Sequence, residues 1–198
     1  MTDTRRIVQR ATFAVILFPF GLLAQSVPTA TQSLQLSTFL IATETSSGFQ
    51  GAKSFDITSG GNLTLLMYRY LNTGVEVRGS YPIHSGSVIG QKSILVGPKF
   101  EYPKSMLRPY ADLLVGRGRI SYLDGGYVAG TVKYIRSDSA VFSPGIGCDL
   151  YLTHRIAMRV DIQYQSWDSP AASSGRITPG LVSVGGTYNF DFNSRHLE

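Results

Sequence analysis

Apolar and polar positions alternate along most of the chain after residue 33. In residues 155–167, aliphatic or aromatic side chains occupy every second position. These are Ile156, Met158, Val160, Ile162 and Tyr164. Ala, Arg, Asp and Gln fill the positions between them. Because successive side chains of a β-strand point to opposite faces, this period of two predicts a strand with one apolar and one polar face.

The same alternation recurs in seven other segments. It is clear in residues 75–83, 93–102 and 182–190, and weaker in residues 34–43, 57–70, 109–121 and 139–152. The connections between the segments alternate in length. The long ones are residues 44–56, 84–91, 122–138 and 168–176, and the short ones are residues 71–73, 104–108 and 153–154. This pattern predicts an all-β fold, an eight-stranded antiparallel up-and-down transmembrane β-barrel with its short turns in the periplasm.

The composition of the two strand faces separates a membrane barrel from a soluble one. A soluble up-and-down barrel such as a lipocalin packs an apolar interior and exposes a polar outside. In this chain the polar face of the predicted strands carries Gly97, Gly145, Gly147 and Gly185 in addition to its polar residues, and these glycines would leave room inside a narrow lumen. Aromatic side chains near strand ends fit an interfacial girdle. They are Tyr81, Tyr102, Tyr164, Trp167, Tyr188 and Phe190. We therefore expect polar faces inside and apolar faces in lipid, with the facing of residues 57–70 left open.

The N-terminal segment predicts export. Arg5, Arg6 and Arg10 precede an apolar stretch at residues 11–24 that is short for a bilayer span. We interpret residues 1–24 as a signal peptide cleaved after Ala24 or Ser26, the alternative being an uncleaved anchor. Residues 25–33 then form a lead-in, residues 34–190 the barrel and residues 191–198 a tail, and the expected location is the bacterial outer membrane.

The last predicted strand carries a recognisable pattern. Ser183 is followed by Gly185 and then by two aromatic residues, Tyr188 and Phe190. This resembles the assembly signal of bacterial outer-membrane barrels, although eight residues follow Phe190. Residues 95–100 and 108–116 also resemble a central hairpin of the small OmpA/OmpX-type barrels. The resemblance implies an eight-stranded outer-membrane barrel that the barrel assembly machinery inserts.

Composition excludes several classes of function. The mean hydropathy of +0.04, with 16% charged residues, fits neither a disordered chain nor a helical membrane protein. The single cysteine, Cys148, excludes an internal disulfide. Removing residues 1–24 lowers the formal charge from +5 to +3 without leaving a basic stripe, so we expect no nucleic-acid partner.

The sequence gives little support for a catalytic or metal-binding site. His84, His154 and His196 are far apart in sequence, so we expect no metal or cofactor site. His84 and Ser85 could join a remote acid such as Glu44 in a lipid A hydrolase, but no family motif surrounds them, and we expect no enzyme. Arg117 and Arg119 could meet lipopolysaccharide phosphates at the outer rim.

The polar faces carry a set of charges that should meet inside the barrel. They are Glu76, Arg78, Lys99, Glu101, Asp112, Asp149, Arg159 and Asp161. We predict one paired belt in the periplasmic half, with Glu76 opposite Lys99 and Asp149 opposite Arg159. Such a belt would plug an eight-stranded lumen, the alternative being a water-filled one. The expected function is a structural or interaction protein displaying four extracellular loops, whose partner is unknown. A narrow channel or a lipid A-modifying enzyme remains the alternative.

Overall fold

Twelve strands lie within the residues that the computed structural model describes, which are 34–46, 53–84, 89–122, 126–129, 131–169 and 175–190. They are β1 (Gln35–Ser46), β2 (Lys53–Met67), β3 (Asn72–His84), β4 (Ile89–Glu101), β5 (Leu107–Tyr122), β6 (Tyr127–Ala129), β7 (Val132–Tyr134), β8 (Arg136–Tyr151), β9 (Ile156–Tyr164), β10 (Ser166–Asp168), β11 (Arg176–Ile177) and β12 (Gly180–Phe190). The predicted leader, lead-in and C-terminal tail lie outside this range.

Eight of these strands close into an antiparallel barrel. Neighbours follow chain order from β1 to β5, then β8, β9 and β12, and β12 pairs back with β1 from Leu36–Phe190 to Ser46–Gly180. The short strands β10 and β11 pair with each other above β9 and β12, and β10 also pairs with β8. The predicted eight-stranded up-and-down topology is confirmed.

The strands are longer than predicted at the end that carries the long connections, which we name the loop end. Residues 44–56 were predicted as a loop, whereas β1 reaches Ser46 and β2 begins at Lys53, with Glu44 opposite Phe55. In residues 43–46 of β1 both faces are polar and the alternation is lost, although the backbone ladder continues. β2 keeps the alternation, with Phe55 facing outward between the buried Ser54 and Asp56. Residues 122–138 were likewise predicted as one loop and contain the hairpin of β6 and β7.

The outside of the barrel is apolar and the inside is mostly polar. In β9, Ala157, Arg159, Asp161 and Gln163 are buried, whereas the intervening Met158, Val160 and Ile162 are between 44% and 53% exposed. In β2, whose facing the sequence left open, Ser54, Asp56, Thr58, Asn62 and Thr64 point inward. A continuous exposed apolar surface of this kind needs a hydrocarbon environment. None of the described residues forms a helix long and apolar enough to cross a membrane.

One residue of the predicted aromatic girdle was assigned to the wrong face. Trp167 is 1% exposed and lies inside the barrel, where its indole donates a 2.8 Å hydrogen bond to Gln165. The period of two places it on the same face as Arg159, and Gly118 makes room for the ring, because a side chain at Gly118 would collide with it. The other five aromatic residues are 38–65% exposed, as predicted for a girdle.

Glycines on the inner face adjust the width of the lumen. A Cβ added at Gly145 would collide with the side chain of Gln163, and one at Gly147 would collide with the ring of Tyr110. These positions therefore let large polar side chains of the neighbouring strands β9 and β5 lie over β8.

Candidate functional site in the barrel interior

Two clusters of side chains fill the interior. The end with the short connections, at residues 68–71, 102–106 and 152–155, is the turn end. The charge cluster lies in this half and consists of Glu76, Arg78, Lys99, Glu101, Asp112, Asp149, Arg159 and Asp161. All eight predicted residues point inward and none exceeds 8% exposure. The apolar cluster lies toward the loop end and consists of Leu95, Leu114, Ile120, Tyr122, Val141, Trp167 and Ile177.

Glu76 stands at the centre of the charge cluster. Arg78 Nη2 lies 2.7 Å from Glu76 Oε1, and Arg159 Nη1 lies 3.1 Å from Glu76 Oε2. Lys99 Nζ adds a longer contact of 3.9 Å. One carboxylate from β3 therefore holds cations from three strands, which is possible because the eight-stranded lumen is about as wide as its own side chains.

The pair of Asp149 and Arg159 has the register that the sequence predicted. The two residues are direct cross-strand partners on β8 and β9. Arg159 Nε lies 2.8 Å from Asp149 Oδ1 and Arg159 Nη2 lies 3.1 Å from Asp149 Oδ2, a bidentate arrangement. Lys99 Nζ also lies 3.1 Å from Asp149 Oδ2, so this pair is joined to the rest of the cluster.

The predicted cross-strand pairing of Glu76 with Lys99 is wrong. Glu76 is opposite Gly97, and Lys99 is opposite Gly74, so the register of β3 and β4 differs by two residues from a symmetric closure of residues 84–91. A shift of two keeps every side chain on its own face, which is why the alternation alone could not detect it. Gly97 leaves the space across from Glu76 open, and Lys99 contacts Glu76 diagonally.

Asp112 and Asp161 complete the cluster toward the middle of the barrel. Arg78 Nη2 lies 2.8 Å from Asp161 Oδ2 and 3.8 Å from Asp112 Oδ2. The Gln163 amide donates hydrogen bonds of 2.9 and 3.0 Å to both oxygens of Asp112. The Tyr110 hydroxyl donates one of 3.2 Å to Asp161. Neutral donors thus support the two carboxylates that share Arg78.

Two aromatic rings that the sequence analysis missed lie against the cations. The Arg159 guanidinium is 4.3 Å from the ring centre of Phe39 and 4.9 Å from that of Tyr110. Lys99 Nζ is 3.9 Å from the Tyr110 ring. Cation–π attraction is stronger at buried than at exposed sites, and Lys99 and Arg159 are at most 2% exposed. The available signal was the phase of β1, because Phe39 shares its face with Ser37 and Thr43.

Glu101 closes the cluster at the turn end. It lies 3.9 Å from Lys99 and 3.4 Å from Arg108, and the Asn72 amide donates it a 3.2 Å hydrogen bond. The Arg108 guanidinium also stacks over Tyr151, 3.9 Å from the ring centre. The network therefore runs without interruption from mid-barrel to the turn end.

The apolar cluster in the loop half was not predicted. Leu114 and Ile120 are 0% exposed, and Leu95, Val141 and Trp167 are 1–2% exposed. At its edge the Tyr122 hydroxyl is 2.9 Å from Ser169. These side chains occupy inward positions that a membrane barrel was expected to reserve for polar groups, so the part of this half formed by β4, β5, β8, β10 and β11 is packed like a small soluble core. The inward residues of β1 to β3 at this end, such as Thr43, Thr58 and Ser80, are polar.

The assembly-signal residues divide between the two faces of β12. The hydroxyl of Ser183 is 3.0 Å from Thr43 inside the barrel, and Thr43 donates a 2.9 Å hydrogen bond to Thr58. Gly185 also faces inward, against Ile41. Tyr188 and Phe190 point outward and make an edge-to-face contact with ring centres 5.0 Å apart.

Of the residues considered for an enzyme, Glu44 lies on β1 and the backbone of His84 on β3, with β2 between them. The Glu44 carboxylate is held by Lys53 at 2.8 Å, and Phe55 lies in register between Glu44 and His84. Ser85 and His196 lie outside the described residues. His154 is exposed in a turn, and within the described residues no group of three or more His, Cys, Asp and Glu side chains could hold a metal.

Comparison with known proteins identifies the fold. No family model and no curated protein sequence matches the chain. Among solved structures, Neisserial surface protein A (NspA) superposes with a TM-score of 0.52 at 15% identity, covering 80% of this chain and 97% of NspA. Ail of Yersinia pestis gives 0.48 at 11% identity, with 80% and 99% covered. The N-terminal β-barrel domain of Pseudomonas aeruginosa OprF gives 0.45 at 15% identity, with 80% and 98% covered. The likeness to NspA, together with the closed eight-stranded topology, shows the fold of the small outer-membrane barrels.

Proposed function

We propose that this protein is a closed, non-conducting barrel of the bacterial outer membrane that holds four extracellular loops in place for structural or interaction purposes. The observation that carries the proposal is the double filling of the lumen. An ion path would have to cross both the charge cluster, whose members are at most 8% exposed, and the apolar cluster, whose members are at most 6% exposed.

The two clusters obstruct ions for different physical reasons. In the charge cluster every cation is held by at least two carboxylates, so a passing ion would have to break several charge-assisted hydrogen bonds at once. At the apolar cluster an ion would exchange its hydration shell for apolar side chains on one side and the buried hydroxyl groups of Thr43, Thr58 and Ser80 on the other, an exchange that costs free energy. Either layer alone is sufficient to stop steady conduction.

The exterior supports an outer-membrane location. Val96, Val115, Val160 and Val184 are 44–52% exposed around the middle of their strands. Such side chains facing outward from a closed barrel fit a hydrocarbon belt, and the exposed aromatic residues fit its boundaries.

A narrow channel is the second candidate. A depression of about 660 Å³ lined by Gln35, Arg108 and Tyr151 opens at the turn end and could serve as a vestibule. In that case the ion pairs behind it would have to rearrange in order to conduct.

Ion flux across vesicles tests the proposal. The protein is folded into phosphatidylcholine vesicles loaded with a potassium-sensitive dye, and folding is verified by heat-modifiable migration on a denaturing gel. We expect the shifted, folded form to release no more potassium than empty vesicles do. Sustained potassium efflux from vesicles holding the folded form would support the channel instead. A chain that shows no heat-modifiable form and remains in the aqueous fraction would overturn the membrane assignment itself.

A further inference from the structure

The outer face near the loop end carries a compact group of cations. Lys92 on β4 is the cross-strand partner of Arg119 on β5, and Arg119 is the partner of Asp138 on β8. Arg117 is two residues further along β5 toward the membrane, on the same outward face, and both Lys92 and Arg117 are exposed. Together with Tyr81 and Ile94 these four residues line a depression of about 400 Å³.

The charges in this depression do not balance. Arg119 makes a paired contact with Asp138, 2.5 Å from Nε to Oδ1 and 2.9 Å from Nη2 to Oδ2. Arg117 and Lys92 act on the same carboxylate electrostatically, so three cations share one anion. The exposed pair of Lys53 with Glu44 elsewhere on the loop end offers a contrast, because there one cation faces one carboxylate at 2.8 Å. Of these two groups, only the one formed by Lys92, Arg117, Arg119 and Asp138 has a net positive charge that could bind an anionic ligand.

The surface directly below the cations is apolar. Ile94 is the cross-strand partner of Arg117 and is 64% exposed. In the next row toward the membrane centre, Val96, Val115 and Phe142 are aligned across three strands and are 44–52% exposed. A ligand on this face would meet positive charge at its head and hydrocarbon-facing side chains along its tail.

We propose that Lys92, Arg117 and Arg119 form a binding site for the phosphate group of a phosphorylated glycolipid, such as lipid A, in the outer leaflet. The proposal rests on the proposed function, which places the loop end outside the cell. Arginine and lysine donate charge-assisted hydrogen bonds to phosphate oxygens, and acyl chains would lie on Ile94 and the row below it. The exposed ring of Tyr81 flanks the head-group position, as expected at a membrane interface.

The same geometry argues against a free phosphate ion as the ligand. The depression is open to the side of the barrel, and Lys92 and Arg117 are exposed, so a small hydrated anion would gain little over water and would be screened by salt. A lipid phosphate is confined to the depth of these cations by its own acyl chains, which removes most of the entropy cost of binding.

Native mass spectrometry of the folded protein in detergent micelles tests the site. The probes are diphosphoryl lipid A, lipid A with its phosphates removed, phosphatidylcholine and inorganic phosphate. We expect one tightly retained diphosphoryl lipid A, and a loss of affinity of about tenfold in the double variant Lys92→Gln/Arg117→Gln. Lys53→Gln removes a cation at the same end of the barrel and should bind as the parent does. Asp138→Asn removes the competing carboxylate and should bind several-fold more tightly.

The outcomes separate this site from the proposed function. Equal retention of dephosphorylated lipid A, or equal affinity of the parent and the double variant, would overturn the phosphate site even in a closed barrel. Displacement of lipid A by inorganic phosphate at low millimolar concentration would overturn the choice of a lipid ligand. Potassium flux through a parent that binds lipid A as expected would contradict the closed barrel and leave the site intact.

Discussion

The two halves of the lumen are filled by side chains of different kinds. The turn half buries charged groups, with Arg159 and Glu76 both 0% exposed. The loop half buries apolar side chains in one cluster, in which Leu114 is 0% and Trp167 is 1% exposed. A charged interior depends on specific partners, because a buried ion without its counter-ion costs several kcal/mol. An apolar interior depends mainly on volume. The halves should therefore respond differently to the same kind of substitution.

Neither half of the lumen can form unless β12 pairs with β1 and closes the barrel. Deleting residues 188–190 removes the partners of Leu36, Ser37 and Thr38 on β1 and the outward aromatic pair of Tyr188 and Phe190. We expect export to continue and insertion to fail, which is the largest effect considered. Fractionation and heat-modifiable migration measure the outcome. Normal insertion of the shortened chain would show that residues 188–190 are not part of an assembly signal.

The charged half should be most sensitive to the loss of a cation. Arg159→Met retains bulk but removes the bidentate partner of Asp149 and one of the cations on Glu76, leaving Lys99 as the cation on Asp149, so the free energy of unfolding should fall by about 3–5 kcal/mol. Urea unfolding in lipid vesicles measures this change. The matched control is Lys53→Met, which breaks an exposed ion pair and should leave the midpoint where it is. An unchanged midpoint for Arg159→Met would mean that the cluster is hydrated.

The outside of the barrel gives a reference for both halves. Val160→Arg or Val96→Arg places a charge on a side chain that faces hydrocarbon, and should cost about 2–4 kcal/mol near the bilayer centre. The same urea unfolding experiment applies. A negligible cost at both positions would mean that the inward and outward phases are reversed, and neither lumen cluster would then be inside.

The apolar half should tolerate a swap that keeps volume. Leu114→Met is expected to cost less than about 1.5 kcal/mol, because packing in this half is not specific to one partner. The comparable isosteric swap in the charged half, Glu76→Gln, should cost clearly more, since Arg78, Lys99 and Arg159 all contact that carboxylate. Equal costs for the two variants would remove the contrast between the halves.

The sequence predicted the topology well because alternation reports directly on faces. It also predicted the register of Asp149 with Arg159, since a short turn leaves few ways to pair β8 with β9. It failed for Glu76 and Lys99 because a longer connection allows shifts of two residues that preserve every face. The members of the charge cluster were thus predicted as a set of residues, whereas only one of the two predicted pairings was correct.

The apolar half was missed for a different reason. Leu95 interrupts the polar run between Ser93 and Gly97, and Trp167 falls in phase with Arg159, so the signal was present at single positions. The apolar cluster was missed because every inward position of a membrane barrel was expected to be polar. The rim cations were recognised at Arg117 and Arg119, but Lys92 joins them only through the register of β4 with β5.

Current recordings in planar bilayers test the double closure most directly. The parent, Arg159→Ala and Trp167→Ala should all be silent under applied voltage, because each single variant leaves the other half of the lumen filled. The combined variant Arg159→Ala/Trp167→Ala should show ion current if it still inserts, since both layers are then opened. A stable current through the folded parent protein would contradict the account.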